Sequence, residues 1–207
     1  MRPQFTLSGV IGEDAPSCSA LSVFLETNPG EVDVLVNSPG GVASEGAAML
    51  AAFERHGRAT VRVVGMAASA ASLAIMGAAR VIMHPAALIM IHEPSAFTFG
   101  TADEHRAGAE ALEKMTGIYA QAYARATGHP VARVAAWMKE ETWLTAEEAL
   151  ELHFCDEVEA AESKQVAVAA FDYGRFRNAP AHLVALTQEN GWATGSLFDG
   201  KRGQAHA

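Results

Sequence analysis

The chain has 207 residues, enough for one domain with additions and enough to bury an apolar core without disulfides or a metal. Half of the residues are hydrophobic and 19% are charged, a globular balance that excludes wholesale disorder. Asp and Glu outnumber Lys and Arg by 24 to 15, and a net charge of −9 argues against nucleic acid or an anionic membrane as a partner held by net charge. No run reaches the roughly 18 greasy residues of a membrane span, and no apolar signal segment follows Arg2, so a soluble, cytoplasmic protein is expected. Cys18 and Cys155 stand in no metal-ligand or redox spacing and read as small apolar residues in a reducing compartment.

Short apolar strands alternate with helical patterns, which predicts an α/β fold. Residues 5–10 alternate as a first strand, and residues 14–26 carry a helical apolar face that ends at Asn28-Pro29-Gly30. Residues 31–36 form a second strand, closed by the turn signal Asn37-Ser38-Pro39-Gly40-Gly41. A helix over 44–56 follows, with Gly57 just past its end. A third strand over 60–64 runs into Gly65-Met66-Ala67-Ala68-Ser69-Ala70-Ala71-Ser72, and strands over 80–83 and 87–91 flank His84-Pro85. Thr101 with Glu104 predicts a capping box opening the longest helix, to Thr127. Its apolar stripe is Leu112, Met115, Tyr119, Ala122, Tyr123 and Ala126. A helix over 131–139 follows, then a second capping box at Thr145 to Glu148, whose short helix ends near His153. The segment past Gly191 is glycine-rich and reads as a loose tail, flexible after about residue 190.

Three places carry chemistry. A serine in the small-residue run either caps the following helix or sits beside free N–H groups able to hold an oxyanion; Ser69 and Ser72 both qualify. His92 ends a strand, where it is a candidate general base or simply a structural histidine. The paired glycines of Asn37-Ser38-Pro39-Gly40-Gly41 either make a tight turn or present backbone amides. No phosphate-binding glycine motif and no GxSxG elbow occurs, which weakens a nucleotide-binding or α/β-hydrolase reading.

Together, Asn37-Ser38-Pro39-Gly40-Gly41-Val42, Gly65-Met66-Ala67-Ala68-Ser69, Met90-Ile91-His92-Glu93-Pro94 and Leu144-Thr145-Ala146-Glu147-Glu148-Ala149 resemble, in order, the proteolytic subunits of the Clp protease family. The resemblance covers residues 5–158. It implies a spiral of ββα units, shared with the crotonases, and a protruding helical handle built on the helix from Thr101 and the loop before it. It implies a serine endopeptidase with Ser69 as nucleophile, His92 as general base and the Gly41 and Ala70 amides as oxyanion hole, with Ser72 left structural. Stacked, heptameric rings acting on polypeptide are implied, without metal or organic cofactor. The family usually has aspartate where this chain has Glu141; Glu141 is the expected orienting acid, Glu140 the reserve, and a Ser-His dyad the third arrangement. His153 replaces a customary glycine and is expected to be a mildly strained cap.

The resemblance divides the chain into a peptidase domain over 1–160 and a C-terminal extension over 161–207. The Glu140-Glu141-Thr142-Trp143 stretch, the start of the first strand near Phe5 and the tail with Phe171-Asp172-Tyr173 resemble the head-maturation proteases of tailed phages and prophages. That branch implies a capsid or scaffold protein as substrate and a role without an ATPase. The alternatives are a housekeeping subunit partnered with an ATP-driven unfoldase, a crotonase-class acyl-CoA enzyme and a catalytically weak scaffold subunit. A Ser-Lys peptidase is disfavoured because Lys114, Lys139, Lys164 and Lys201 all lie away from the motifs.

Overall fold

The computed structural model describes residues 2–160 and 168–193. It divides into two compact units, Met1–Ala169 and Ala170–Ala207. The boundary expected at residue 160 adjoins, and the flexible tail expected after about 190 largely falls within, segments outside the described residues.

In the first unit, β1 (Gln4–Ser8), β2 (Val32–Ser38), β3 (Ala59–Ala68), β4 (Arg80–Met83) and β7 (Glu157–Val158) pair in that order, all parallel. β5 (Leu88–Ile91) lies parallel to β3, and β6 (Thr142–Thr145) pairs antiparallel with β5. β3 serves two partners in succession. Thr60–Val63 pair with β4, and beyond Gly65 the strand pairs through Met66–Ala68 with β5. At Gly65 a side chain would collide with Asn37 Oδ1, only 2.4 Å from where its Cβ would stand.

Around the sheet lie α1 (Cys18–Thr27), α2 (Ala43–His56), α3 (Ala70–Ile75), α4 (Ala102–Thr127), α5 (Val131–Glu140) and α6 (Ala146–Glu151). The alternating valines Val32, Val34 and Val36 are fully buried, as are Met49 and Phe53 of α2 and Ile75 of α3, so one core joins the sheet to its covering helices. The capping box at Thr101 and Glu104 is present. The 26 residues of α4 extend about 39 Å at 1.5 Å per residue, its N-terminal half mostly exposed and its C-terminal half packed through Tyr119, Ala120, Ala122 and Tyr123. The second unit contains a 3₁₀ turn at Tyr173–Arg175 and α7 (Ala181–Glu189); the Tyr173 amide donates to Thr187 Oγ1, and both residues are buried.

Several boundaries differ from the sequence expectation for local reasons. α1 starts at Cys18 rather than Asp14, because the Asp14 carboxylate accepts from the Val10 amide in a turn and Ser17 supplies the cap, accepting from Ala20. β1 stops at Ser8, where Gly9 turns with φ 96. β3 continues as strand through Gly65 to Ala68, held by its pairing with β5. His153 does take a positive φ, 61°, at the end of α6.

Candidate active site

β3 delivers Ser69 at its C-terminal end, and α3 begins at the next residue. Ser69 stands in the N-cap position of α3, yet its side chain makes no cap hydrogen bond; its Oγ lies 2.7 Å from His92 Nε2. With the imidazole proton on Nδ1, the Ser69 hydroxyl donates to Nε2. The backbone at Ser69 has a positive φ of 54 with ψ −123, outside the left-handed helical region. Such a conformation costs about 1–3 kcal/mol in a non-glycine residue and persists only where the surroundings enforce it.

Three contacts enforce it here. The Ser69 amide donates to Met90 O at 2.9 Å, and its carbonyl accepts from the Leu73 amide at 3.1 Å and from the Ser72 hydroxyl at 2.8 Å. Ser72 is fully buried, and its Oγ also lies 2.7 Å from Met90 O and 2.8 Å from Tyr123 Oη. A hydroxyl has one proton, and the carbonyls only accept. Ser72 therefore spends its proton on them, and Tyr123 is the donor to Ser72.

The glycine pair after β2 lies against this turn. A Cβ on Gly40, where φ is 97, would stand 2.7 Å from Ser69 Cβ and 3.0 Å from Ala70 N. Ile11 straps the pair in place, donating from its amide to Gly40 O at 2.7 Å and accepting from Val42 N at 2.8 Å. That parallel bridge uses the groups on either side of Gly41, so the Gly41 amide itself points away from Ile11. A Cβ on Gly41 would fall 2.1 Å from Ile11 O, which leaves glycine as the residue that fits. Ala70 opens α3, so its amide is among the first-turn donors a helix leaves unmatched.

β5 carries His92 just past its last residue. The β5–β6 ladder ends where Ile91 pairs with Thr142; His92 follows Ile91 and Glu141 precedes Thr142 along the chain. Glu141 is 8% exposed, takes a left-handed conformation (φ 54, ψ 77) at the end of α5, and accepts from Trp143 Nε1 at 3.3 Å. Glu140, the reserve acid, is exposed. Ser69 and His92 remain partly accessible, and the cleft beside them is walled by Ala43, Ala70, Leu73, Pro94, Tyr119 and Tyr123.

Tyr119 and Tyr123 were legible in the sequence only as members of an apolar stripe. Both also anchor their hydroxyls, Tyr119 to Ala43 O at 3.0 Å and Tyr123 to Ser72, and burial raises the pKa of each above that of a free phenol. The available signal was chemical: a buried tyrosine normally finds a partner for its hydroxyl. Among the described residues no group of three or more His, Cys, Asp or Glu side chains is placed to hold a metal ion, and no helix is long and apolar enough to cross a membrane.

A strand-end serine held in a strained turn, with a histidine at hydrogen-bonding distance and Gly40 packed against it, is the equipment of a serine-type peptidase. The family model for Clp protease matches residues 8–162, and the chain belongs to that family, whose members are serine-type peptidases. An ATP-dependent Clp protease proteolytic subunit from Paracoccus denitrificans is 33% identical over 135 residues, 63% of this chain and 67% of that protein. The proteolytic subunit 3 from Rhodococcus jostii (strain RHA1) is 33% identical over 146 residues, 69% of this chain and 72% of that protein. Among solved structures, a ClpP1 variant from Listeria monocytogenes superposes with a TM-score of 0.68 at 19% identity, covering 77% of this chain and 92% of its own, and shows the ClpP-like fold.

Proposed function

We propose that this chain hydrolyses peptide bonds through an acyl-enzyme formed on Ser69. The observation that carries the reading is the 2.7 Å approach of Ser69 Oγ to His92 Nε2 in a turn whose strain serves no cap. Ser69 Oγ attacks the carbonyl carbon while His92 takes the hydroxyl proton. The tetrahedral oxyanion lies between the Gly41 and Ala70 amides. On collapse the C–N bond breaks and His92 gives its proton to the leaving amine. A water, deprotonated by His92, then attacks the ester and releases the acid and free Ser69. Glu141, the residue before the β6 partner of Ile91, is assigned the orienting of His92, on the family resemblance. No metal or organic cofactor enters these steps. The test is labelling by an alkyl fluorophosphonate, read by intact mass and peptide mapping: a single adduct on Ser69, lost in Ser69→Ala and His92→Ala, is expected. No adduct on the folded protein overturns the reading.

We further propose that the protein assembles into rings of its own copies, as the family resemblance implies, and that it acts in phage or prophage head maturation on capsid or scaffold protein. The Glu140-Glu141-Thr142-Trp143 stretch supports that context. The names of the bacterial relatives, ATP-dependent proteolytic subunits, favour the second reading, a subunit served by an unfoldase. Digestion of casein and of a folded fluorescent protein, with and without a bacterial unfoldase and ATP, separates the two. Cleavage of casein alone under all conditions fits head maturation; unfoldase- and ATP-dependent loss of the folded protein fits the second.

A further inference from the structure

We infer that Ser72 and Tyr123 are positioning residues for the oxyanion donor at Ala70; this rests on the serine-peptidase reading above. A peptide unit is planar and, when trans, points its carbonyl and its amide in opposite directions. The Ala70 N–H shares its unit with the Ser69 carbonyl, so whatever fixes that carbonyl also aims the amide. The Ser69 carbonyl is held by the Leu73 amide at 3.1 Å and by the Ser72 hydroxyl at 2.8 Å, both from α3. The Ala70 N–H is thereby turned the other way, out of the first turn of that helix.

The same hydroxyl secures the other side of Ser69. Ser72 Oγ lies 2.7 Å from Met90 O, the carbonyl that also accepts from Ser69 N at 2.9 Å. The peptide units on both sides of Ser69 are thus held, one through its N–H and the next through its C=O, and rotation about φ or ψ at Ser69 strains one of these bonds. Met90 stands two residues before His92, so the anchor lies on the strand that leads to the base. Ser72 is fully buried and has one proton for two carbonyls. Tyr123, 2% exposed, donates to its oxygen at 2.8 Å and so turns that proton toward them.

The other oxyanion donor is held differently. The Gly41 N–H shares its unit with Gly40 O, which accepts from the Ile11 amide at 2.7 Å. That support is backbone on backbone, whereas the support at Ala70 runs through two side-chain hydroxyls and can be removed one oxygen at a time. Without the Ser72 hydroxyl, Leu73 N still holds the carbonyl, so the Ala70 amide is misaimed rather than lost. Outright removal of an oxyanion donor costs about 10²–10³ in kcat, which sets the ceiling for the effect.

The test is steady-state cleavage of a fluorogenic peptide by the full chain, with active sites counted by complete labelling of Ser69 with an alkyl fluorophosphonate, so that unfolded molecules do not enter kcat. Ser72→Ala is expected to lower kcat by about 10- to 100-fold with KM within about twofold, the split of an interaction made in the transition state. Tyr123→Phe, which keeps the ring, is expected to lower it about three- to tenfold. A peptide aldehyde, to which Ser69 Oγ adds to give a tetrahedral hemiacetal, is expected to lose affinity in both variants in proportion to kcat, while the corresponding peptide alcohol, which cannot add, binds as before. Residues that only support the fold would change none of these values per labelled site. Should Ser72→Ala not fold, Tyr123→Phe decides. Undiminished kcat in the labelled variants, or a lower kcat with unchanged aldehyde affinity, overturns the inference and leaves the peptidase reading standing; no labelling of Ser69 in the unmodified chain overturns both.

Discussion

Tyr123, on the long helix α4, holds Ser72 by a 2.8 Å hydrogen bond, and Ser72 in turn holds the carbonyl of Ser69 at 2.8 Å. A helix whose far half is exposed is thereby tied to the backbone of the candidate nucleophile. Replacing Ser72 by Ala leaves the buried Tyr123 hydroxyl and two carbonyl groups without that partner, a cost of about 1–3 kcal/mol. Tyr123→Phe removes one donor and keeps the ring, costing about 0.5–1.5 kcal/mol. The double variant is expected to fall short of the sum, because either change alone breaks the same link. Urea denaturation of the four proteins measures this; strict additivity would mean the two hydroxyls do not act together.

Gly40 separates conformational need from packing. At φ 97 an added methyl would meet Ala68 O at 2.6 Å and Ser69 Cβ at 2.7 Å, so Gly40→Ala must displace either its own turn or the serine. A stability loss of at least about 2 kcal/mol is expected, with peptidase activity falling further than stability alone explains. Gly117, inside α4 and with nothing near its missing Cβ, is the control: Gly117→Ala is expected to stabilise by about 0.5–1 kcal/mol. Thermal melts and a peptide-cleavage assay on both variants distinguish the two behaviours.

These tests bear on residues that were unequally legible in the sequence. Ser69, His92 and the Gly40–Gly41 pair each sit where a strand ends in small or turn-forming residues, a signal ambiguous on its own; it was the order of the four motifs and their resemblance to the family that singled these residues out. The capping boxes at Thr101 and Thr145 were legible from local chemistry, since both partners lie within one turn of chain. The antiparallel strand Thr142–Thr145 was not. It has four residues and no long alternation, and its register against β5 is a property of pairing distant segments, Ile91 meeting Thr142 51 positions further along the chain. The hydroxyl anchors of Tyr119 and Tyr123 were hidden for a related reason: a 3.6-residue period identifies the buried face of a helix but not which atom on that face meets a polar partner.

Cys155 offers a check on the core. Burial pushes its thiol up to about 11, so at pH 8 about one molecule in a thousand carries the reactive thiolate, before any barrier to access. Cys155 is therefore expected to resist iodoacetamide in the folded protein and to react on unfolding in urea, while the less buried Cys18 reacts first. Peptide mapping after timed alkylation reads both sites. Rapid modification of Cys155 at pH 8 in the folded state would mean that the segment joining α6 to β7 opens readily.

The acid limb of the pH profile tests His92 and Glu141 together. His92 must be neutral to take the proton of Ser69, so kcat/KM is expected to fall tenfold per pH unit once a single proton on the imidazole dominates. A carboxylate beside an imidazolium stabilises the charged form and raises the pH at which the ring is lost as a base. Glu141→Gln removes that charge while keeping the shape. Its acid limb is therefore expected to move to lower pH even as its plateau rate drops, by up to about 10⁴-fold, the cost of losing an orienting carboxylate in a serine triad. Glu140→Gln, on the exposed neighbour, is expected to leave both limb and plateau in place. The measurement is kcat/KM against pH for the three proteins on one fluorogenic peptide. A limb that stays put in Glu141→Gln but moves in Glu140→Gln would transfer the orienting role to Glu140; a limb unmoved in both, with undiminished rates, would leave Ser69 and His92 working as a dyad.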